Sequence, residues 1–183
     1  EPSTLKEDLD RLVGNRDFSD VVFIVEGAEV PAHLCMLLLR PSAFSRMFQS
    51  GMRETSTRKA EISDVSIDTF KSLLHFIYTS NVPLRSVKDS VQLLELADRF
   101  MVTALLEQCA EHMLHNVDVR NALKILQVAH KCNVETVKVV CLRTISANFG
   151  KIAGQKALRK LPQELLVEII QCHHCAADMT RSQ

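Results

Sequence analysis

Apolar and polar positions change period several times along the chain. Val21 to Val25 is an unbroken apolar run, mostly β-branched and closed by Glu26 and Gly27; it is too short for a usual helix and predicts a buried strand. Ala28 to Pro31 is expected to return beside it across the Gly27 turn, with Pro31 marking its end because proline cannot donate to a ladder. The period then becomes helical. His33 to Leu39 is almost wholly apolar and is cut by Pro41, and the pattern restarts behind Ser42, a plausible N-cap, as a helix burying Phe44, Met47 and Phe48. Ahead of the hairpin, residues 4 to 13 predict a short amphipathic helix. Thr4 and Glu7 have capping-box spacing, and Leu5, Leu9, Leu12 and Val13 share one face. So short a helix is marginal alone in water, so that face must be covered by its own domain or by a second copy of the chain. Burying three Leu side chains contributes roughly 5–9 kcal/mol in gross terms, before ordering costs.

Farther along, Ala60 to Ile62 is a candidate third strand, and Phe70, Leu73, Leu74 and Ile77 keep helical spacing behind Ser66 or Asp68 as cap. Asn81-Val82-Pro83 ends that helix, and residues 84 to 89 read as a polar connection. Helices are expected from Ser90, through Leu93, Leu94, Ala97, Phe100 and Met101, and over Thr103 to Leu114. Beyond Asn116 the pattern is purely helical. Asp118 is expected to cap a helix carrying Leu123 and Leu126, and Asn133 to separate it from one carrying Val137, Val140, Cys141 and Ile145. Asn148 to Gly154 predicts a loop and then a short helix to Lys160. A last helix starts at Leu161-Pro162 and buries Leu165, Leu166, Ile169 and Ile170, and Asp178 to Gln183 is expected to lack fixed structure. The fold class is therefore α+β: a small hairpin-based sheet covered by helices over residues 1–115, followed by an all-α helical-hairpin segment over residues 116–183 with a disordered tail.

A hydrophobic content of 46% is ample for a core. Lys plus Arg and Asp plus Glu are 22 each, so no excess of positive charge is present to neutralise phosphates, and nucleic acid is not an expected partner. No apolar run approaches a membrane span of about 18 residues, and the N-terminus lacks the plan of a signal peptide. A first residue Glu1 rather than Met leads us to expect a fragment.

Cys35, Cys109, Cys132 and Cys141 fall on apolar helix faces. They fit reduced, buried thiols and a cytoplasmic or nuclear protein better than a disulfide framework. Cys172-His173-His174-Cys175 could ligate zinc, but no second pair completes four ligands, and the plainer reading is an amphipathic helix end. No metal or cofactor is expected. The five glycines never form a phosphate loop, His33 is a general base only in principle and reads better as a hydrogen-bonded core residue, and Asp98-Arg99 reads as a solvated face. No catalytic residue is expected, and the chain is not expected to be an enzyme.

Met52 is the better candidate. It follows Gly51 at the start of a polar loop, with Glu54 two places on, a pattern suited to a small protein contact unless Met52 simply folds back on Phe48. Five strings, Phe18-Ser19-Asp20-Val21, Ala32-His33, Phe44-Ser45-Arg46-Met47-Phe48, Phe76-Ile77-Tyr78-Thr79 and Ala97-Asp98-Arg99-Phe100, together resemble a BTB/POZ domain, and the helices after residue 115 are similar to the BACK segment that follows it in many adaptor proteins.

The resemblance implies a homodimer with Leu5, Leu9, Leu12, Val13, Asp20 and Met36 at the interface. It also implies cullin-3 recruitment through Met52, Arg53 and Glu54, and a protein substrate bound by a domain outside this chain. The alternative it leaves open is an oligomerisation or scaffold module, for example in transcriptional regulation, with no cullin binding. One departure stands out: Leu34 follows His33 where many BTB domains carry the Lys or Arg that pairs with the counterpart of Asp20, so Asp20 needs another partner, with Arg40 available.

Overall fold

The computed structural model describes residues 3–39, 43–49 and 57–181, and these fall into two compact units, one within Glu1–Arg85 with Gln92–Glu107 and the other within Ser86–Val91 with Gln108–Gln183. The first unit is built on a three-stranded sheet in the order β2-β1-β3. Strand β1 (Val21–Val25) pairs antiparallel with β2 (Ala28–Ala32), Phe23 opposite Val30, and parallel with β3 (Lys59–Ile62), Phe23 beside Ala60. Gly27 turns the hairpin at φ +77°, a conformation that favours a residue without Cβ. The second strand runs through Pro31 to Ala32 rather than stopping at Pro31. It is an edge strand, where a missing N–H removes nothing from the ladder.

Helices α1 (Leu5–Leu12), α2 (Leu34–Leu38), α3 (Ala43–Gln49) and α4 (Ile67–Thr79) share the unit of this sheet, and α5 (Val87–Arg99) and α6 (Thr103–Asn116) follow, each divided between the two units. Five phenylalanines make the centre. Phe23 on β1 meets Phe44 at 5.5 Å, Phe48 at 5.9 Å and Phe70 at 5.0 Å, all edge to face, and Phe100 stacks on Phe44 at 4.5 Å. Such pairs contribute about 0.5–1.5 kcal/mol each beyond their buried area. Ser66 caps α4 by accepting from the Thr69 N–H, and Ser80 ends it at φ +60°.

Several boundaries differ from the pattern reading. His33 lies outside α2 with extended backbone, and α5 begins at Val87 rather than Ser90, because the Ser86 hydroxyl accepts from the Asp89 N–H and opens the helix earlier. Ser42 lies outside the described residues. Cys35 is exposed, not buried: α2 turns Leu37 inward, and a position two residues away points elsewhere.

The second unit is helical. Helix α7 (Ala122–Lys131) packs against α8 (Glu135–Ala147), which also receives α10 (Gln163–Arg181). Leu123, Ile125 and Leu126 of α7, Val137, Cys141 and Ile145 of α8, and Leu165 and Ile169 of α10 are buried. Asn133, at φ +54°, makes the turn between α7 and α8. Asp118 does not cap α7 directly. Its carboxylate accepts from the Arg120 and Asn121 N–H groups and pairs with the Arg120 guanidinium, which holds the carboxyl below its usual range and builds the turn ahead of the helix. The expected loop at 148–154 contains a short helix, α9 (Phe149–Ile152), and the expected helix to Lys160 is only a 3-10 turn, Leu158–Lys160. Ile170 is 62% exposed rather than buried. Helix α10 runs on to Arg181, with neither Gly nor Pro to stop it.

Candidate interaction surface

Helix α1 is closed at its start by a complete capping box. The Thr4 N–H donates to Glu7 Oε2 at 2.7 Å and the Glu7 N–H to Thr4 Oγ1 at 3.3 Å, and the bond from the Thr4 backbone lowers the Glu7 carboxyl from its ordinary value. With its ends satisfied, stability depends on what covers its apolar stripe. The helix packs on α4, and Asp10 Oδ1 meets His75 Nε2 at 2.9 Å, while His75 Nδ1 lies 2.6 Å from the Asn81 carbonyl. Yet none of its residues is buried: Leu5 is 76% exposed, and Leu9, Leu12 and Val13 are largely but not fully covered. Its own unit therefore takes one flank of α1 and leaves an apolar remainder open.

The loop after α1 carries a second open apolar group. Phe18 is 93% exposed and sits at φ +60°, a left-handed conformation that costs a non-glycine residue about 1 kcal/mol. That loop is pinned from behind. The Tyr78 hydroxyl accepts from the His33 N–H at 2.8 Å and lies 2.9 Å from His33 Nδ1, and His33 Nε2 lies 2.8 Å from the Asp17 carbonyl oxygen. The neutral Nε2–H tautomer satisfies all of these groups, with Tyr78 donating to Nδ1 and His33 donating to Asp17. His33 is thus a buried structural link, in agreement with its reading as a core residue. Burial pushes the Tyr78 hydroxyl up to about 12, with the bond from the His33 N–H partly offsetting it.

Asp20 departs from the expectation of a buried carboxylate. It is exposed, and Oδ1 accepts the Leu34 N–H at 2.7 Å, so it caps α2 in place of His33, which makes no side-chain cap bond. The Asp20 side chain therefore has a partner without Arg40, which lies outside the described residues. Met36, two residues on, is half-buried on α2. Met52, Arg53 and Glu54 lie outside the described residues, and no geometry is assigned to them.

The remaining candidates resolve as structure. Cys172-His173-His174-Cys175 lies on α10, where the His173 ring stacks on Phe149 at 4.6 Å with Nδ1 3.2 Å from the Ser146 carbonyl. Among the described residues no group of three or more His, Cys, Asp or Glu is placed to hold a metal ion, and no helix is long and apolar enough to cross a membrane. Arg99 reaches the Ser63 carbonyl at 2.8 Å and lies over the Phe100 ring, so it does more than face solvent. Sequence reasoning missed Phe18 as an exposed group and the His75–Asp10 pair. Neither belongs to a local motif: one depends on a backbone torsion and the other on α1 meeting α4.

Comparison with known proteins decides the family. The family model described as BTB/POZ domain matches residues 9–117, and the model described as BTB And C-terminal Kelch, the BACK segment, matches residues 122–177. The chain belongs to the BTB/POZ family. Among its relatives, the human Kelch repeat and BTB domain-containing protein 2 is 29% identical over 91% of this chain and 27% of its own length. The mouse TD and POZ domain-containing protein 4 is 32% identical over 90% of this chain and 46% of its own length. The chain thus spans between about a quarter and a half of these relatives. Of solved structures, the BTB domain of zebrafish PATZ1 matches at 27% identity and TM-score 0.47 over 61% of this chain and 94% of its own. The three-stranded sheet under helices is the α+β BTB fold, followed by the helical BACK segment.

Proposed function

We propose that this BTB-BACK chain is a homodimeric adaptor without chemistry of its own, which recruits cullin-3 through Met52, Arg53 and Glu54 and serves a protein substrate held by a domain outside the chain. The observation that carries the dimer is the uncovered apolar remainder of α1, in a chain whose family resemblance implies self-association there. The cullin arm rests on the hydrophobic-any-Glu string at the expected place in the sequence and on the BACK segment that follows. Dimerisation presents two ligase arms and two substrate modules, which raises avidity through effective concentration. Free Cys109, Cys132 and Cys141, all buried, support a reducing setting, cytoplasmic or nuclear.

Titration calorimetry of the purified chain with the N-terminal region of cullin-3 tests the recruiting arm. Wild type is expected to bind, and Met52→Asp or Glu54→Ala to weaken binding by at least about 1 kcal/mol, the size of an energetically important interface residue. A wild-type chain that does not bind rejects recruitment and leaves the oligomerisation or scaffold reading.

A further inference from the structure

The zero net charge hides an unequal division. The first unit carries 15 Asp and Glu against 11 Lys and Arg, and the second 7 against 11, a split of −4 and +4. Most of the positive excess is concentrated: between Glu135 and Glu164 there is no acidic residue, but Lys138, Arg143, Lys151, Lys156, Arg159 and Lys160 all occur. Lys138 is spoken for, lying 3.0 Å from Glu168 and 3.5 Å from Glu135. Lys151, Lys156, Arg159 and Lys160 are exposed and pair with no described residue.

These four cations stand on an ordered support. Successive tight turns run from Asn148 to Leu161, with the Lys151, Gln155, Leu158, Lys160 and Leu161 N–H groups each donating three residues back, at 2.9–3.2 Å. Ile152 and Leu161 anchor the run in the core, and Phe149 fixes its start on His173. At a rise of about 2 Å per residue the basic run is at most about 20 Å long. An extended peptide of roughly six residues, at about 3.3 Å each, covers it.

We propose that residues 151–160 form a docking surface for a short acidic segment of a partner protein, with Lys151, Lys156, Arg159 and Lys160 as its charge-reading groups. A local excess of like charge with no internal partner is what electrostatic complementarity uses to steer and select a protein partner. A protein segment fits better than nucleic acid because Phe149, the one Phe, Tyr or Trp in the second unit's sequence, is already stacked on His173 and offers no free platform for bases.

Fluorescence anisotropy with labelled decaglutamate tests this on the whole chain. Wild type is expected to bind, and Lys156→Glu with Arg159→Glu and Lys160→Glu to weaken binding at least about tenfold, while Lys71→Glu with Arg85→Glu and Lys124→Glu, the same change in net charge on exposed positions elsewhere, weakens it less than about twofold. Raising NaCl from about 20 to about 300 mM is expected to weaken the wild-type complex at least about fivefold, an arm that needs no variant. Absent wild-type binding, equal losses in the two triple variants, or tighter binding of single-stranded decathymidylate overturns the proposal. So does low-salt self-association that the Lys156, Arg159 and Lys160 reversals abolish, since that assigns the surface to a second copy.

Discussion

Phe23 and Leu5 are both apolar residues on elements whose periodicity asks for burial, yet the first is 0% exposed and the second 76%. Phe23 lies on the central strand β1, and Phe44, Phe48 and Phe70 close on it from two helices of its own chain, α3 and α4. Leu5 lies on the first turn of helix α1, which packs on α4 along one flank. The difference teaches that periodicity states which face must leave water, while topology decides whether the chain itself can supply the cover. It also revises the energetics of α1. Leu9 and Leu12 are already largely covered, so the gain from a second copy is smaller than the full burial of three Leu side chains, roughly 1.5–4.5 kcal/mol per chain. Association costs are of similar size, so α1 needs help, and the open Phe18 ring adds to the same side of the balance.

Breaking the covered side of this comparison has the largest effect. Phe23→Ala removes the ring on which the other three converge and is expected to cost about 3–5 kcal/mol, read as a lower denaturation midpoint in urea. Tyr78 comes next. Its hydroxyl is raised from 10.0 to about 12, so the stability carried by its neutral form is fully present below pH 10 and is lost as pH rises through 12, a loss of roughly 2–3 kcal/mol. Chemical denaturation across that window should show the loss, and Tyr78→Phe should abolish this part of it while itself costing about 1–3 kcal/mol by stranding the His33 groups. Asp20→Ala removes only a cap from α2 and is expected to cost about 0.5–2 kcal/mol by thermal melt; a larger loss would mean that Asp20 becomes buried on self-association. The smallest effect is on reactivity alone. Burial pushes the Cys109 and Cys141 thiols to about 12, so a native thiol titration near pH 8 should label exposed Cys35 and Cys175 first and those two last.

Much of the fold was legible because its signals are local. The β-branched run of β1, the Thr4–Glu7 box, Ser66 and Asn133 each settle their own few residues through short-range hydrogen bonds or a backbone torsion. What misled was equally local evidence that distant contacts overrode. Pro31 reads as a strand end unless its strand is known to lie at an edge, and Ser90 reads as a helix start until Ser86 is seen capping three residues earlier. Ile170 kept the helical period of Leu166 and Ile169, but α8 reaches only part of that face. For the interaction surface, the amphipathic stripe of α1 was readable, whereas the capping of α2 by Asp20 joins positions 14 residues apart and leaves no pattern in sequence.

The central claim is that the open face of α1 is covered by another copy of this chain. Multi-angle light scattering of wild type and Leu9→Asp, each with a thermal melt, tests it most directly. The account predicts twice the chain mass for wild type and the single-chain mass for Leu9→Asp, which still melts cooperatively because that side chain is not fully buried within its own unit. A wild-type monomer, or a Leu9→Asp protein that keeps the dimer mass, would contradict it.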